Sequence, residues 1–270
     1  MTYSERAQII SALKPGGLRN MNENSPNPIA RNIRHICERI TRTAESCGRR
    51  TEEITLLAIS KTFPREAVAD AFTAGICRFG ESRVQEAETK IPFFADTTQN
   101  DTISAQTFYR LFPKPEWHLI GHLQSNKVRR AVELFDVIQS VDNAKLAARI
   151  SQAALELGKK IPILVQVDLG NEETKFGAPP EEIHGIIEDI SDLKGVRLDG
   201  LMTLPPYFED QEEVRPYFCK LREIGEKLET EQPGCLGKRH LSMGMSHDFE
   251  AAIREGATIV RVGTAIFGIR

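Results

Sequence analysis

The sequence predicts a single closed barrel of eight parallel strands wrapped by helices, the (β/α)8 fold. Three observations predict it. Short apolar runs, several rich in β-branched residues, recur eight times from Ile54 onward. Between them the apolar spacing changes to that of a helix. The chain has 270 residues, the length of one such domain. An open doubly wound sheet is the competing arrangement, but it is expected to carry a Gly-rich first turn such as GxGxxG. Ser60-Lys61-Thr62 is not one.

Taken in order, residues 1–26 contain Gly16, Gly17, Asn20, Asn22, Asn24 and Pro26 and little apolar periodicity. They are expected to form a mobile extension, with a short helix over Ser4–Leu13. Residues 27–270 are expected to be the barrel domain, opened by a helix over Pro28–Cys47. Strands are expected at Ile54–Ser60, Ile76–Gly80, Trp117–Gly121, Asp136–Val141, Ile161–Asp168, Val196–Met202, His240–Met243 and Thr258–Val262. The fourth and seventh are weak as sequence, and the rhythm of the others places them. Ile183, Ile186, Ile187 and Ile190 form one helical stripe, and Val128, Ala131, Val132 and Phe135 another. Val214, Phe218, Leu221, Gly225 and Leu228 mark the apolar face of a longer helix. The segment 93–115 is irregular and reads as a surface insertion before the third strand.

Composition narrows the function classes. Hydrophobic residues make up 40% and charged residues 27%, an ordinary globular balance that supports a sizeable core. The net charge is −3 and the basic residues are scattered, so neither nucleic acid nor an anionic membrane surface is an expected partner. No apolar run approaches the ~18 residues of a membrane span, and no basic-then-apolar leader opens the chain. The five cysteines are odd in number and lack a CxxC pair. That pattern fits reduced thiols in the cytoplasm better than a disulfide framework or a zinc site.

In a barrel of this kind, chemistry gathers where strands end and the following loops begin. That rule picks Lys61, Glu81-Ser82, His122, Asp168, Thr203, Ser242–Ser246 and Gly263-Thr264. Lys61 stands just beyond the apolar run LLAIS, at the mouth, where apolar neighbours favour a neutral amine able to attack a carbonyl. The stretch Ser242-Met-Gly-Met-Ser246 offers backbone N–H groups in a glycine turn, with a helix expected to start at Ser246. A phosphate dianion would suit it, although a plain helix cap at Ser246 explains the same residues. Arg261-Val-Gly263-Thr264 closes the eighth strand, where phosphate is frequently held in such barrels. Gly263 permits close approach to the backbone, and Thr264 adds donors. His118 alternates with Trp117 and Leu119 and reads as a satisfied core histidine, with Trp117 as packing. Gln124–Lys127 reads as a helix cap. A lysine at strand one and donors at strands seven and eight suit a phosphorylated carbonyl compound.

These residues also resemble a known family. AISKT (Ala58–Thr62), RFGESRVQE (Arg78–Glu86), WHLIGHLQSNK (Trp117–Lys127), LSMGMSHDF (Leu241–Phe249) and RVGTAIFG (Arg261–Gly268) together resemble the pyridoxal phosphate homeostasis proteins. GLMT (Gly200–Thr203) and the turn Lys175-Phe-Gly177 extend the likeness, which runs from about Pro28 to the C-terminus. The family is similar to the barrel half of alanine racemases and ornithine decarboxylases. The resemblance implies an alanine racemase N-terminal-like barrel of fold type III and a vitamin B6 cofactor, pyridoxal 5′-phosphate (PLP). It implies that Lys61 carries PLP as a Schiff base, and that Ser246, Gly263 and Thr264, with the Met245 backbone, bind its phosphate. It also implies that Arg261 faces the pyridine nitrogen. Two departures stand out: Ser82 replaces the family's usual Asn, and Leu119 replaces its usual Phe or Met.

Two functions of different class then compete. One is a PLP-binding protein of the cytoplasm, expected to be a monomer, that buffers the cofactor or delivers it to apoenzymes without substantial catalysis. The other is a PLP-dependent amino-acid racemase or decarboxylase. A cationic Arg261 beside the ring nitrogen would disfavour its protonation and weaken the electron sink that carbanion chemistry needs. Racemisation can survive that handicap, as the racemases have an arginine at the matching place, but it needs an acid or base on the second face, which in the racemases comes from a domain after the barrel. The sequence ends eight residues past Val262, so no such domain is expected. A cofactor-free Schiff-base aldolase would use Lys61 but not the phosphate donors. The carrier is therefore the expected function.

Overall fold

In the computed structural model, residues 27–95, 114–170 and 176–269 are described. The extension 1–26 with its expected helix, most of the expected insertion 93–115, and Lys175 fall outside them.

The eight strands close into one barrel in the order β1 to β8. They are β1 (Thr55–Ile59), β2 (Arg78–Glu81), β3 (Glu116–Leu119), β4 (Val137–Val141), β5 (Ile161–Val167), β6 (Val196–Thr203), β7 (His240–Ser242) and β8 (Ile259–Val262). Every neighbouring pair is parallel, including β1 with β8, where Thr55 faces Ile259 and Ala58 faces Val262. Closure rules out the open sheet.

The helices follow the expected stripes. They are α1 (Pro28–Ser46), α2 (Arg65–Thr73), α3 (Val84–Ala95), α4 (Val128–Leu134), α5 (Ala144–Glu156), α6 (Ile183–Ser191), α7 (Gln211–Glu231), α8 (Phe249–Arg254) and α9 (Thr264–Phe267). Ile183, Ile186, Ile187 and Ile190 are all buried against the sheet, as are Val214, Phe218, Leu221, Gly225 and Leu228. Asn27 caps α1, its side chain accepting from Ile29 N–H at 2.9 Å.

Burial divides into two layers. Leu57, Ile59, Ile120, Val137, Leu164, Met202 and Ile259 form a small cluster of their own. A larger cluster fills the space between strands and helices. Because side chains alternate along a strand, Leu57 and Ile59 point into the barrel while Ala58 points to the helices. A Cβ built on Gly80 would meet Ile59 Cδ1 and Leu57 Cδ2, so position 80 faces inward and Phe79 and Glu81 face outward. Trp117 packs between Phe79 and Phe94, with ring centroids at 5.3 and 5.8 Å, and is the packing residue expected of it.

Some boundaries differ from expectation. The second strand is displaced to Arg78–Glu81, because Glu81 pairs with Leu119 on β3 while Ile76 lies before the strand. Phe93–Ala95 end α3 rather than begin an insertion, the helix running through Pro92. Gln124 heads a 3₁₀ turn over Ser125–Lys127 with no side-chain cap. Among the described residues no helix is long and apolar enough to cross a membrane, and no group of His, Cys, Asp or Glu could hold a metal ion.

Candidate functional site at the barrel mouth

Lys61 follows β1 by two positions, in the register at which Leu57 and Ile59 face the barrel interior. It is partly buried. Next to β1, the chain leaves β8 through Gly263 into α9. A Cβ on Gly263 would lie 3.3 Å from the Ile59 carbonyl oxygen, closer than most Cβ atoms come, so glycine lets the two strand ends meet.

Ser246 joins this place from the β7 loop. Its hydroxyl oxygen accepts from the backbone N–H of Gly263 at 3.1 Å and of Ala265 at 3.3 Å. The expectation that Ser246 starts a helix is corrected here: α8 begins at Phe249, and Ser246 sits in the preceding turn. Its partners lie 17 and 19 residues away, so its role is tertiary rather than a cap. Gly244, at φ +88°, makes the turn, and a Cβ there would press to 2.5 Å of Ala252 Cβ. Met245 N–H donates to Asp248 Oδ1. Burial pushes the Asp248 carboxyl up, against the pull of that bond and of Arg261. Thr264 opens α9 beside these groups.

Arg261 lies on the inner face of β8, 2% exposed. One guanidinium nitrogen donates to Ser242 Oγ at 2.8 Å and the other to the Thr203 carbonyl at 2.7 Å. Burial draws its pKa down to about 10, partly countered by Asp248, so it remains cationic at neutral pH. The contact continues across the interior. Ser242 Oγ donates to Gln139 Oε1 at 2.6 Å, Gln139 Nε2 meets His118 Nδ1 at 2.7 Å, and His118 Nε2 meets Glu116 Oε1 at 2.7 Å. If every donor follows the direction that Arg261 sets, the Gln139 amide donates to Nδ1 and the imidazole carries its hydrogen on Nε2. His118 is thus the satisfied core histidine expected from its strand position.

Other candidates fall away from this cluster. His122 stacks on Phe176 with ring centroids 3.7 Å apart and lies 3.6 Å from Asp142. Asp168 accepts from Gly170 N–H in its own loop. Residue-by-residue reading missed Gln139 and Ser242 as a connected pair, although a Gln inside the apolar run VIQSV was a visible signal. It also missed Lys90, which stands four residues from Glu86 on α3.

Comparison with known proteins shows the family. The family described as "Alanine racemase, N-terminal domain" matches residues 30–270. A pyridoxal phosphate homeostasis protein of Aquifex aeolicus is 41% identical over 238 residues, covering 88% of this chain and 96% of that protein. The chain belongs to the pyridoxal phosphate homeostasis protein family. The family's Escherichia coli K12 member is 38% identical, across 90% of this chain and 97% of its own. PipY of Synechococcus elongatus, solved with PLP bound, superposes with a TM-score of 0.69 at 36% identity, covering 86% of this chain and all of that one. A Clostridium difficile alanine racemase shares the fold at TM-score 0.59 and 18% identity, matched over 60% of its own chain. This homeostasis-family barrel is thus the alanine racemase N-terminal fold predicted from sequence.

Proposed function

We propose that the protein binds pyridoxal 5′-phosphate as a Schiff base on Lys61 and serves in intracellular PLP homeostasis. It buffers the free cofactor or hands it to apoenzymes, as a cytoplasmic monomer without substantial catalysis of its own. The observation that carries this reading is the meeting, at the ends of β7 and β8 and beside the end of β1 that Lys61 follows, of a cluster of hydroxyl and amide donors and a buried arginine.

That donor set fits the group. The Ser246 and Thr264 hydroxyls offer neutral donors to a phosphate beside a glycine that leaves room for it, and the Gly263 N–H joins them in exchange for its bond to Ser246 Oγ. Met245 is assigned to the same phosphate through its backbone, in exchange for its bond to Asp248. When bound, PLP supplies an aldehyde and an electron-withdrawing ring. Lys61, as the neutral amine, gives its electron pair to the aldehyde carbon and forms a carbon–nitrogen double bond, while the carbonyl oxygen leaves as water. Arg261 is assigned to the ring nitrogen and keeps it unprotonated.

Borohydride reduction of the protein loaded with PLP, followed by peptide mapping, tests the attachment. The pyridoxyl label is expected on Lys61, and Lys61→Ala is expected to lose it while melting as cooperatively as the parent. A label on any other lysine rejects the assignment.

A further inference from the structure

Both neighbours of Lys61 are gripped by one cluster of charges that the covalent reading leaves unused. Ser60 donates its hydroxyl to Glu81 Oε1 at 2.7 Å, and its carbonyl accepts from Lys90 Nζ at 2.8 Å. On the other side, Thr62 N–H donates to Glu86 Oε1. Lys90 ties the two carboxylates together, 2.8 Å from Glu81 Oε1 and 2.6 Å from Glu86 Oε1.

The cluster is costly to build. Glu81 is fully buried and Lys90 nearly so, and Glu81 Oε2 is buried without a hydrogen-bond partner among the described residues. Burial pushes the Glu81 carboxyl up, opposed by its bonds to Lys90 and Ser60. A buried ion pair is a weak source of net stability compared with apolar side chains of the same volume. What it supplies better is a fixed geometry, because its bonds are directional and lose much when bent.

The segment it holds needs such fixing. Thr62 has φ +68°, a left-handed backbone that a β-branched residue adopts only where its surroundings impose it. The last bond from this strand to β2 is Ser60 N–H to the Gly80 carbonyl at 3.1 Å, and beyond it the turn from Ser60 to Phe63 is closed by a backbone bond from Phe63 N–H to the Ser60 carbonyl. Ser60 and Thr62 are held further by their bonds to Glu81 and Glu86 and by the bond from Lys90, residues of β2 and α3. They grip the strand end from the β2 and α3 side, on either side of Lys61 in the chain.

We propose that Glu81, Glu86 and Lys90 are positioning residues that lock the Ser60–Thr62 backbone and so fix the angle at which the Lys61 amine enters the barrel mouth. The inference rests on Lys61 being the attachment residue. It gives the stretch Arg78–Glu86 a task beyond packing: β2 brings Glu81 to the end of β1, and the first turns of α3 bring Glu86 and Lys90.

The test uses the full chain with Glu86→Ala, Glu86→Gln and Lys90→Met. Two quantities are read: the rate at which PLP becomes covalently attached, and the induced circular dichroism of the attached chromophore. Binding of pyridoxine 5′-phosphate, which has no aldehyde, is measured beside them by calorimetry. Glu86→Ala is expected to slow attachment roughly ten- to a hundredfold, the loss that misplacing a reacting group produces, and to change the dichroism. Glu86→Gln, which keeps an acceptor for Thr62 N–H, recovers most of the rate. Pyridoxine phosphate binds all three variants as it binds the parent, since the phosphate donors lie on the β8 side of β1 and the three charged residues on its β2 side. If Lys90→Met does not fold, the Glu86 pair decides alone, because Glu86 is partly exposed. Parental rate and dichroism in Glu86→Ala overturn the inference while Lys61 labelling stands. Absence of a Lys61 label in the parent overturns the attachment itself, and the inference with it.

Discussion

Ser246 and Thr264 are the residues on which phosphate capture is expected to turn. Ser246 Oγ gathers two backbone N–H groups from the β8–α9 corner, and Thr264 opens the helix that follows. A hydrogen bond to a charged group contributes about 1.5–3 kcal/mol, or roughly ten- to a hundredfold in affinity. Ser246→Ala with Thr264→Ala is therefore expected to weaken PLP binding by at least that factor, measured by calorimetry, with Lys61 still present to react. Unchanged affinity in the double variant places the phosphate elsewhere. Ser242 lies deeper and is expected to behave differently. Its hydroxyl accepts from Arg261 and donates to Gln139, so Ser242→Ala leaves both buried groups without that partner. The expected cost is about 1–3 kcal/mol of stability, read as a lower midpoint in urea with unchanged slope.

At the scale of elements, the polar chain from Arg261 to Glu116 explains what was and was not legible in the sequence. Six strands announce themselves as apolar runs because both faces of a parallel sheet are buried. β4 and β7 are weak as sequence because they turn Gln139 and Ser242 inward to carry that chain. Only the barrel's closure makes those polar residues intelligible. Glu81 is picked out by its place at a strand end, but its pairing is hidden for a similar reason: its partner Lys90 is nine residues on, in a different element. Ser246 looks like a cap because its true partners on the far side of a strand leave no local spacing to read. The lower end of the chain carries a pH signature. The bond to His118, with Arg78 adding to it, holds the Glu116 carboxyl down at about 2 from its ordinary 4.5. A carboxylate depressed in the folded state stabilises it above the unfolded value and loses that contribution as pH falls. Stability is thus expected to decline from about pH 4.5 toward about pH 2, and Glu116→Gln to flatten that limb. Burial raises Glu81 and Asp248 instead, so their charged forms oppose folding at neutral pH and acidification relieves them. A titration of urea midpoints in parent and Glu116→Gln separates the two effects, and superposable acid limbs reject the assignment to Glu116.

For the whole molecule the decisive question is whether a barrel built on the alanine racemase plan turns over amino acids. The fold itself does not answer it, because the solved racemases share the fold at 18% identity or less among those compared and the same barrel can host different sites. The site argues against turnover. Arg261 is buried, cationic at neutral pH, and held by Ser242 and Thr203. Placed at the ring nitrogen, as proposed, such a fixed cation would oppose its protonation and weaken the electron sink. Inverting a carbon centre also requires a proton donor on the face opposite Lys61. Of the tyrosines, Tyr109 and Tyr207 fall in segments that the sequence reads as loops, and Tyr109 lies outside the described residues. Tyr207 is 70% exposed and leans on His247 with ring centroids 5.3 Å apart, in the setting of a surface residue. Lys61 can exchange the α-hydrogen on its own face, so slow one-sided incorporation of deuterium is compatible with the carrier. The experiment is chiral chromatography of L-alanine and several other amino acids incubated with PLP-loaded protein in deuterated water. Retained configuration is expected throughout. Inverted, deuterated product formed at ~1 per second or faster, within the ordinary enzyme range, would make the protein a racemase, and loss of that product in Tyr207→Phe would name its second base.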